Sequence, residues 1–273
     1  MNPRLEAITL DFGNTLVPVT AAGLGEVVRA TAREIAERCG PFPLDDVLAA
    51  WDEERARQFR EELPKFREVD LAVRVTRVLA RLRGMEPPQP DIAWDQDAVQ
   101  ARSHPDEIVR ALDVYMGAFV DALPPPTFVE PMLARLATHY RLAILSNWPL
   151  GPALDRYADA AGWAQHLVAI VVSERVGSIK PQPAMFDAAR AALGSPASEA
   201  VLHVGDDWAA DVVGAKRAGW QAAYLRTRPD DSPLPMSVRD TSVAADIELA
   251  TLADLEPALG RLLAEPGTRG GSA

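Results

Sequence analysis

The chain carries two hydrophobic patterns, which predict two kinds of structure. Between residue 24 and about residue 123, apolar side chains recur every three to four positions, which places them on one face of a helix. Prolines and glycine interrupt this series at Gly40-Pro41 and Pro87–Pro90, and Pro124–Pro126 ends it. The stretch is therefore predicted to consist almost entirely of helices.

Short apolar runs on either side of the helical stretch are typical of buried strands. The first run covers Leu5–Phe12 and ends at Gly13-Asn14, where the backbone can turn sharply. The later runs alternate with segments of helical spacing near 150–160, 183–192 and 208–218, which predicts a parallel sheet with covering helices. They are Leu142–Leu145, Leu167–Val172, Val201–Val204, Ala222–Leu225 and a last run near Asp246-Ile247, before a closing helix at 252–263.

The first strand is separated from the rest of its sheet by the helical stretch. The predicted fold class is therefore α/β, a Rossmann-like parallel sheet with helices on both faces and an inserted all-helical cap domain. We assign the core to residues 1–18 and 125–263, the cap to 19–124, and a mobile C-terminal tail to 264–273. Ligands of such cores bind beyond the carboxyl ends of the strands, so reactive residues are expected there.

Composition and charge exclude several classes of protein. Apolar residues make up 48% of the chain and charged residues 25%, as in globular proteins. The net charge of −11 argues against binding nucleic acid or acidic lipid, and the single cysteine, Cys39, excludes an intrachain disulfide. The sequence shows no run long enough to span a membrane and no signal peptide. We expect a cytoplasmic protein, monomeric or homodimeric, that acts on a small molecule.

Reactive residues do lie at the predicted strand ends. Asp11 ends the first strand, Ser146 follows Leu142–Leu145, and Asp206 follows Val201–Val204. Lys180 follows the third strand after a short loop, and it is one of three lysines in a chain with 25 arginines. The topology therefore brings carboxylates, a hydroxyl and an amine to one edge of the sheet.

These segments resemble the four motifs of the haloacid dehalogenase-like (HAD) hydrolase superfamily, in the family's order. Asp11–Leu16 resembles the first motif, with Asp11 in the place of the nucleophile, and Ser146 matches the second. Lys180 in Gly177–Pro181 matches the third motif, and Gly205–Asp211 matches the fourth. The helical insert resembles the family's helical (C1-type) cap, which follows the first motif.

The resemblance implies hydrolysis of a phosphate monoester through an aspartyl-phosphate on Asp11, with Mg²⁺ as cofactor. The metal would be bound by the Asp11 side chain, the Gly13 carbonyl and Asp206. The residues implied as catalytic are Asp11, Ser146, Lys180 and Asp211, and Thr15 and Asn147 are added as substrate contacts.

Position 13 departs from the family pattern. Typical phosphatases of the family carry a second aspartate there, which protonates the leaving group; this chain has Gly13. Such an acid contributes about 10²–10⁴-fold to a rate. Three hypotheses stay open. The protein is a phosphatase of low activity or one restricted to substrates with good leaving groups, a dehalogenase- or phosphonatase-type hydrolase, or a low-activity binding or regulatory relative.

The cap carries a concentration of positive charge. Residues 55–83 contain nine basic and four acidic side chains, a net +5 in a chain of −11. This segment would attract an anionic metabolite. Arg60, Lys65 and Arg67 flank the helix break at Leu63-Pro64 and are the predicted cap contacts to substrate.

Overall fold

A parallel sheet of six strands forms the centre of the computed structural model, which describes residues 5–86 and 96–264. The strand order is β3-β2-β1-β4-β5-β6, and each neighbouring pair is parallel. The predicted α/β fold class is confirmed. The strands are β1 (Ala7–Leu10), β2 (Arg141–Ser146), β3 (Ala169–Val172), β4 (Val201–Gly205), β5 (Gln221–Leu225) and β6 (Ile247–Leu249).

Both faces of the sheet are buried, which explains why the strands are apolar without alternation. Ile8 and Leu10 of β1 belong to one core cluster, whereas Ala7 belongs to the cluster on the opposite face. The helices that follow β1 and precede β4 are α1 (Ala21–Arg38), α2 (Leu44–Glu61), α3 (Leu71–Leu82), α4 (Gln96–Gln100), α5 (Pro105–Ala122), α6 (Val129–Ala137), α7 (Gly151–Ala160), α8 (Ser173–Val176) and α9 (Pro183–Ala192). The later helices are α10 (Gly214–Arg217) and α11 (Leu255–Ala264).

The helical insert occupies the expected place between β1 and β2. Helices α1 to α5 form it, with α1 packed against α5 and α2 against α3. The short helical turn Leu63–Lys65 breaks the stretch between α2 and α3. The predicted break at Pro87–Pro90 and residues 265–273 of the predicted tail lie outside the described residues.

The segment 208–218 differs from the regular helix that the sequence predicts. Trp208–Val213 forms a wide π-helical turn before the short helix α10. The side chain of Asp207 accepts a hydrogen bond from the Ala210 amide, and Asp211 accepts one from the Asp207 amide. These bonds draw the Asp211 carboxylate back towards the end of β4; π-type turns are frequent at functional sites.

None of the helices in residues 5–86 and 96–264 is both long enough and apolar enough to span a membrane.

Candidate active site

Strand register brings the predicted motifs to the same edge of the sheet. Leu10 is paired with Ile144 of β2 and with Val204 of β4. Asp11 therefore lies level with the ends of both neighbouring strands, next to Ser146 and Asp206 in space. All three side chains are almost completely buried and line one cavity.

Lys180 connects the carboxylates of the site. Its Nζ donates hydrogen bonds to Asp11 Oδ1 at 2.8 Å, to Asp211 Oδ1 at 2.7 Å and to the Leu145 carbonyl at 2.8 Å. Burial opposes the charged form of Lys180, but the two carboxylates outweigh it and raise the pKa of the ammonium. The buried group is thus held as a cation with all three donors occupied.

Asn147 holds Lys180 in place. Its amide forms a reciprocal pair with the Lys180 backbone: Oδ1 accepts from the Lys180 N–H at 2.7 Å, and Nδ2 donates to the Lys180 carbonyl at 3.1 Å. Asn147 also lines the cavity, so its predicted substrate contact stays a prediction.

A short buried chain of hydrogen bonds supports Asp211. His203 Nε2 lies 3.0 Å from Asp211 Oδ1, and His203 Nδ1 lies 2.8 Å from Thr9 Oγ1. Burial lowers the pKa of His203, so the ring is neutral, and the carboxylate assigns the ring proton to Nε2. Burial raises the pKa of Asp211, but Lys180 and His203 outweigh this and hold it below the ordinary value.

Asp206 has a different environment. Thr15 Oγ1 donates to Asp206 Oδ1 at 3.4 Å, and an Arg228 guanidinium nitrogen lies 3.2 Å from Asp206 Oδ2. Burial, with the like charges of Asp11 and Asp211, raises the pKa of Asp206 to about 8 despite Arg228. Thr15 is therefore placed to orient Asp206, and its role towards substrate stays a prediction.

The carboxylates fit a hard cation. One oxygen from each of Asp11, Asp206 and Asp211 lies within 4.8 Å of the others, and all three residues are buried. Carboxylate oxygens are the ligands that Mg²⁺ prefers. The like-charge repulsion that raises the pKa of Asp206 is the kind of strain that a bound cation relieves.

The turn after β1 is closed by a distant segment of the chain. Asn14 has a left-handed backbone (φ 58°), which asparagine tolerates, and its side chain accepts from the Val19 amide and bonds Ser232. A Cβ added to Gly13 would lie 2.5 Å from Leu234 Cδ1. Position 13 is thus filled from outside by an apolar side chain.

The cavity extends from these carboxylates into the cap and has a volume of about 720 Å³. Asp11, Ser146 and Lys180 lie at its core end, and its walls also include the charged residues Arg55, Glu68 and Arg74. The apolar side chains that line it include Leu24, Val28, Leu48, Trp51, Phe59, Leu63, Phe66, Tyr115, Trp148 and Leu234.

The three basic residues predicted to contact substrate do not lie on this wall. Arg60, Lys65 and Arg67 are exposed, and Arg67 pairs with Glu62 at 3.1 Å. Leu63 and Phe66 of the same break face the cavity instead. A substrate contact from the three cations stays a prediction, and the structure places Arg55 and Arg74 nearer to such a role.

Sequence reasoning missed Arg74, Arg228 and Leu234. Arg74 lies in the basic stretch of the cap, but its charge alone does not distinguish it from its neighbours. Arg228 and Leu234 come from the connection between β5 and β6, residues 226–246, which shows no motif. The prolines of this connection predict irregular structure and nothing more specific.

Comparison with known proteins identifies the family. The model of the haloacid dehalogenase-like hydrolase family matches residues 5–219. The chain therefore belongs to this family, and it is a hydrolase, as the four motifs predicted.

Two relatives resemble the chain over almost its whole length. The 5-amino-6-(5-phospho-D-ribitylamino)uracil phosphatase YigB of Escherichia coli is 25% identical over 252 residues, covering 92% of this chain and 95% of that protein. The crystal structure of a 2-haloacid dehalogenase from Pseudomonas syringae is 25% identical, with a TM-score of 0.65, and covers 94% of this chain and 99% of that one. A HAD phosphatase from Thermococcus onnurineus, 19% identical with a TM-score of 0.57 over 94% of this chain and 98% of that one, shares the fold.

Proposed function

We propose that this hydrolase cleaves phosphate monoesters of small anionic metabolites in a Mg²⁺-dependent reaction through Asp11. The observation that carries the proposal is the Lys180 ammonium, held at 2.8 Å from Asp11 and 2.7 Å from Asp211 beside the carboxylate cluster. A fixed cation next to a buried carboxylate suits a reaction in which negative charge moves between oxygens. The phosphatase named among the relatives supports this choice.

Two displacement steps account for the hydrolysis. An Asp11 carboxylate oxygen forms a bond to phosphorus, and the ester P–O bond breaks with its electron pair on the leaving oxygen, which takes a proton from solvent. Water then attacks the aspartyl-phosphate, the bond to Asp11 breaks, and inorganic phosphate leaves. We assign binding of the phosphoryl oxygens to Ser146 and to Lys180, whose ammonium would exchange its hydrogen bond to Asp11 for one to the transferred group.

The carboxylates of Asp11 and Asp206, with the Gly13 carbonyl, are proposed to hold Mg²⁺, and Asp211 would orient Lys180 and ordered water. The ion would offset the repulsion between the anionic ester and Asp11. Because position 13 has no acid, the leaving oxygen is not protonated from there. Esters with acidic alcohols, such as aryl phosphates, are therefore the expected good substrates.

Phosphate release from a panel of alkyl and aryl phosphates, with Mg²⁺ and with chelator, tests the proposal. We expect release that needs Mg²⁺, favours aryl esters and disappears in Asp11→Asn. Asp159→Asn, an exposed carboxylate on α7, is the matched control and should keep full activity. Equal release from Asp11→Asn, or release unaffected by chelator, would overturn the nucleophile or the metal assignment respectively.

Two observations favour dehalogenation as a second candidate. Position 13 lacks an acid, and the Arg228 guanidinium already lies 3.2 Å from the Asp206 carboxyl, where Mg²⁺ would otherwise bind. The dehalogenase among the solved relatives is as similar in sequence as the phosphatase. Halide release from 2-haloacids in the presence of chelator, with no phosphate release from any ester, would select this reaction.

A further inference from the structure

Buried arginines of the cap differ in whether the chain neutralises them. Arg57 lies 3.6 Å from Glu54 and 3.7 Å from Glu61, and Arg77 lies 3.5 Å from Glu61. Arg74 is equally buried, with 6% of its surface exposed. Within residues 5–86 and 96–264, no carboxylate lies within ion-pair distance of its guanidinium.

No carboxylate of the described residues pairs directly with Arg74. The carboxylates of Glu68 and Asp52 favour its charge only from beyond ion-pair distance, and the Arg55 guanidinium opposes them. The Nε of Arg74 donates to Gln58 Oε1 at 2.8 Å, and its guanidinium lies over the Trp51 ring at 5.4 Å. Gln58 is neutral and is itself fixed, because its Nε2 donates to the Asp70 carbonyl at 2.9 Å. The terminal guanidinium nitrogens form no hydrogen bond within the described part of the chain.

A buried cation without a counter-ion is costly, and proteins normally pair it. Burial lowers the pKa of Arg74 to about 10, which still leaves it charged at neutral pH. The guanidinium lines the cavity that begins at Asp11. A counter-ion can therefore come from a molecule bound in the cavity.

The surrounding wall limits what that molecule can be. Trp51, Phe59 and Tyr115 lie on the wall with Arg74, and Tyr115 is close enough to interact electrostatically with it. Burial raises the pKa of Tyr115 to about 12, so its hydroxyl stays a neutral donor. Aromatic walls favour an apolar body, and the guanidinium favours a planar oxyanion.

We propose that Arg74 binds a carboxylate at the far end of the substrate, so that the enzyme acts on phosphate esters of apolar, aromatic-sized acids. This assignment rests on the proposed function, since it takes the phosphate to lie at Asp11 and Lys180. The phosphate would then be bound by residues of the core and the carboxylate by Arg74 of the cap, since both groups line one cavity, with the apolar body between them.

Calorimetric binding of benzylphosphonates, which cannot be hydrolysed, tests the assignment without turnover. The series carries a para carboxylate, attached directly or through one or two methylene groups, and each member is paired with its neutral carboxamide. In the wild type we expect at least one carboxylate to bind about 10- to 100-fold more tightly than its carboxamide, as for a buried charge-assisted hydrogen bond.

Three variants locate the source of the preference. Arg74→Gln should reduce the carboxylate-to-carboxamide ratio to near one, and Arg74→Lys should restore part of it because the charge remains while the planar fork is lost. Arg110→Gln, which removes an exposed charge of the same domain outside the cavity, should keep the wild-type ratio. Unfolding midpoints show which variants are folded. If Arg74→Gln does not fold, the assignment is judged from the affinity ratios of the wild type and Arg74→Lys.

The two proposals fail in different ways. No carboxylate preference in the wild type at any length, or the same preference in Arg74→Gln, overturns the assignment of Arg74. Unsubstituted benzylphosphonate reports the phosphate end alone. If it does not bind while para-alkyl benzoates still show the Arg74-dependent preference over their amides, the phosphate site fails and the carboxylate site stands.

Discussion

A Cβ at position 13 and the methyl of Leu234 compete for the same space. The built Cβ would lie 2.5 Å from Leu234 Cδ1 and 3.5 Å from the Trp148 ring, whereas real Cβ contacts stay beyond about 3 Å. Gly13 does not have a left-handed backbone, so the conformation itself accepts a side chain. The obstacle to an acid here is Leu234, whose terminal methyl must move.

Restoring the acid therefore requires two changes. We expect Gly13→Asp alone to raise turnover of alkyl phosphates by less than about tenfold, and Gly13→Asp with Leu234→Ala to raise it by about 100-fold, within the range of a positioned general acid. Leu234→Ala alone is the control and should not gain. Steady-state kcat for an alkyl and an aryl phosphate measures this, and equal gains for both esters would contradict protonation of the leaving group.

Removal of the Lys180 ammonium should destabilise the fold as well as stop the reaction. Lys180→Met leaves the buried carboxylates of Asp11 and Asp211 without their shared cation, which we expect to lower the free energy of unfolding by about 3 kcal/mol. Lys216→Met is the matched control: its ammonium pairs with Asp246 at 2.8 Å at about one-third exposure, and its loss should cost under about 1 kcal/mol. Denaturant unfolding at pH 7 compares the two, and equal losses would contradict a buried ionic centre.

Single residues of the core site could be placed from the sequence, and those of the cap could not. Asp11, Ser146, Lys180 and Asp206 each follow an apolar strand, and parallel strands end at one edge. In the sequence, Arg74 looks like the exposed basic residues near it. Helical spacing alone does not say which arginine lacks a carboxylate partner. That distinction depends on how α2 and α3 pack together.

At the scale of elements, the segment between α2 and α3 joins the cap to the core. The Phe66 carbonyl accepts from the Ile179 amide at 3.1 Å, and the Pro149 carbonyl accepts from the Leu71 amide at 3.1 Å. Glu68 accepts a hydrogen bond from Ser173 Oγ. These contacts attach the cap beside the loop that carries Lys180.

The Glu68 carboxyl should make stability depend on pH. Burial raises its pKa above the ordinary 4.5 despite the Ser173 bond, so the folded protein keeps this proton longer than the unfolded chain. Its contribution is therefore complete below about pH 4.5 and is lost as pH rises through the folded-state value. We expect Glu68→Gln to lose less stability than the wild type between pH 5 and pH 8.

Denaturant unfolding at both pH values measures this difference. Each unit by which the folded-state pKa is raised corresponds to about 1.4 kcal/mol. Glu53→Gln removes an exposed carboxyl of the same cap and should follow the wild type. If the free energy of unfolding of Glu68→Gln falls as much as that of the wild type between these pH values, groups other than Glu68 cause the loss.

Elements with uniform burial were predicted best. The central strands β1, β2 and β4 are buried on both faces almost throughout, so their apolar runs stand out. The structure moves the predicted strand ends by at most about two residues. The π-helical turn at Trp208–Val213 was missed because it depends on side-chain bonds of Asp207 and Asp211. Hydrophobic spacing carries no information on such bonds.

At the scale of the whole molecule, the connection 226–246 links three parts of the structure. Arg228 pairs with Asp206 at 3.2 Å, and Ser232 bonds Asn14 in the turn after β1. Asp231 accepts from the Ala21 amide at the start of α1. One segment of the core therefore contacts the carboxylate cluster, the first motif and the cap.

Arg228 and a metal ion would share Asp206. We expect Arg228→Gln to bind Mg²⁺ about tenfold more tightly, or by about 1.4 kcal/mol, because it removes a cation that competes for Asp206. Calorimetric titration with Mg²⁺ in the absence of substrate measures this at a pH above about 8, where protons compete less for Asp206. Arg239→Gln, from the same connection but placed over Trp208 and paired with Glu248, should leave the affinity unchanged. Weaker binding in Arg228→Gln would instead show that Arg228 orients Asp206 for the ion.

The contacts of this connection fix its length. Surface loops usually accept insertions, which makes them the common places for tags, fusions and natural length variation. Here Arg228, Ser232, Leu234 and Ser237 each meet a different partner at a set spacing along the chain. One residue inserted among them would shift the later side chains away from their partners. An epitope tag therefore belongs elsewhere on the surface. The connection can be exchanged with that of a relative only as a whole.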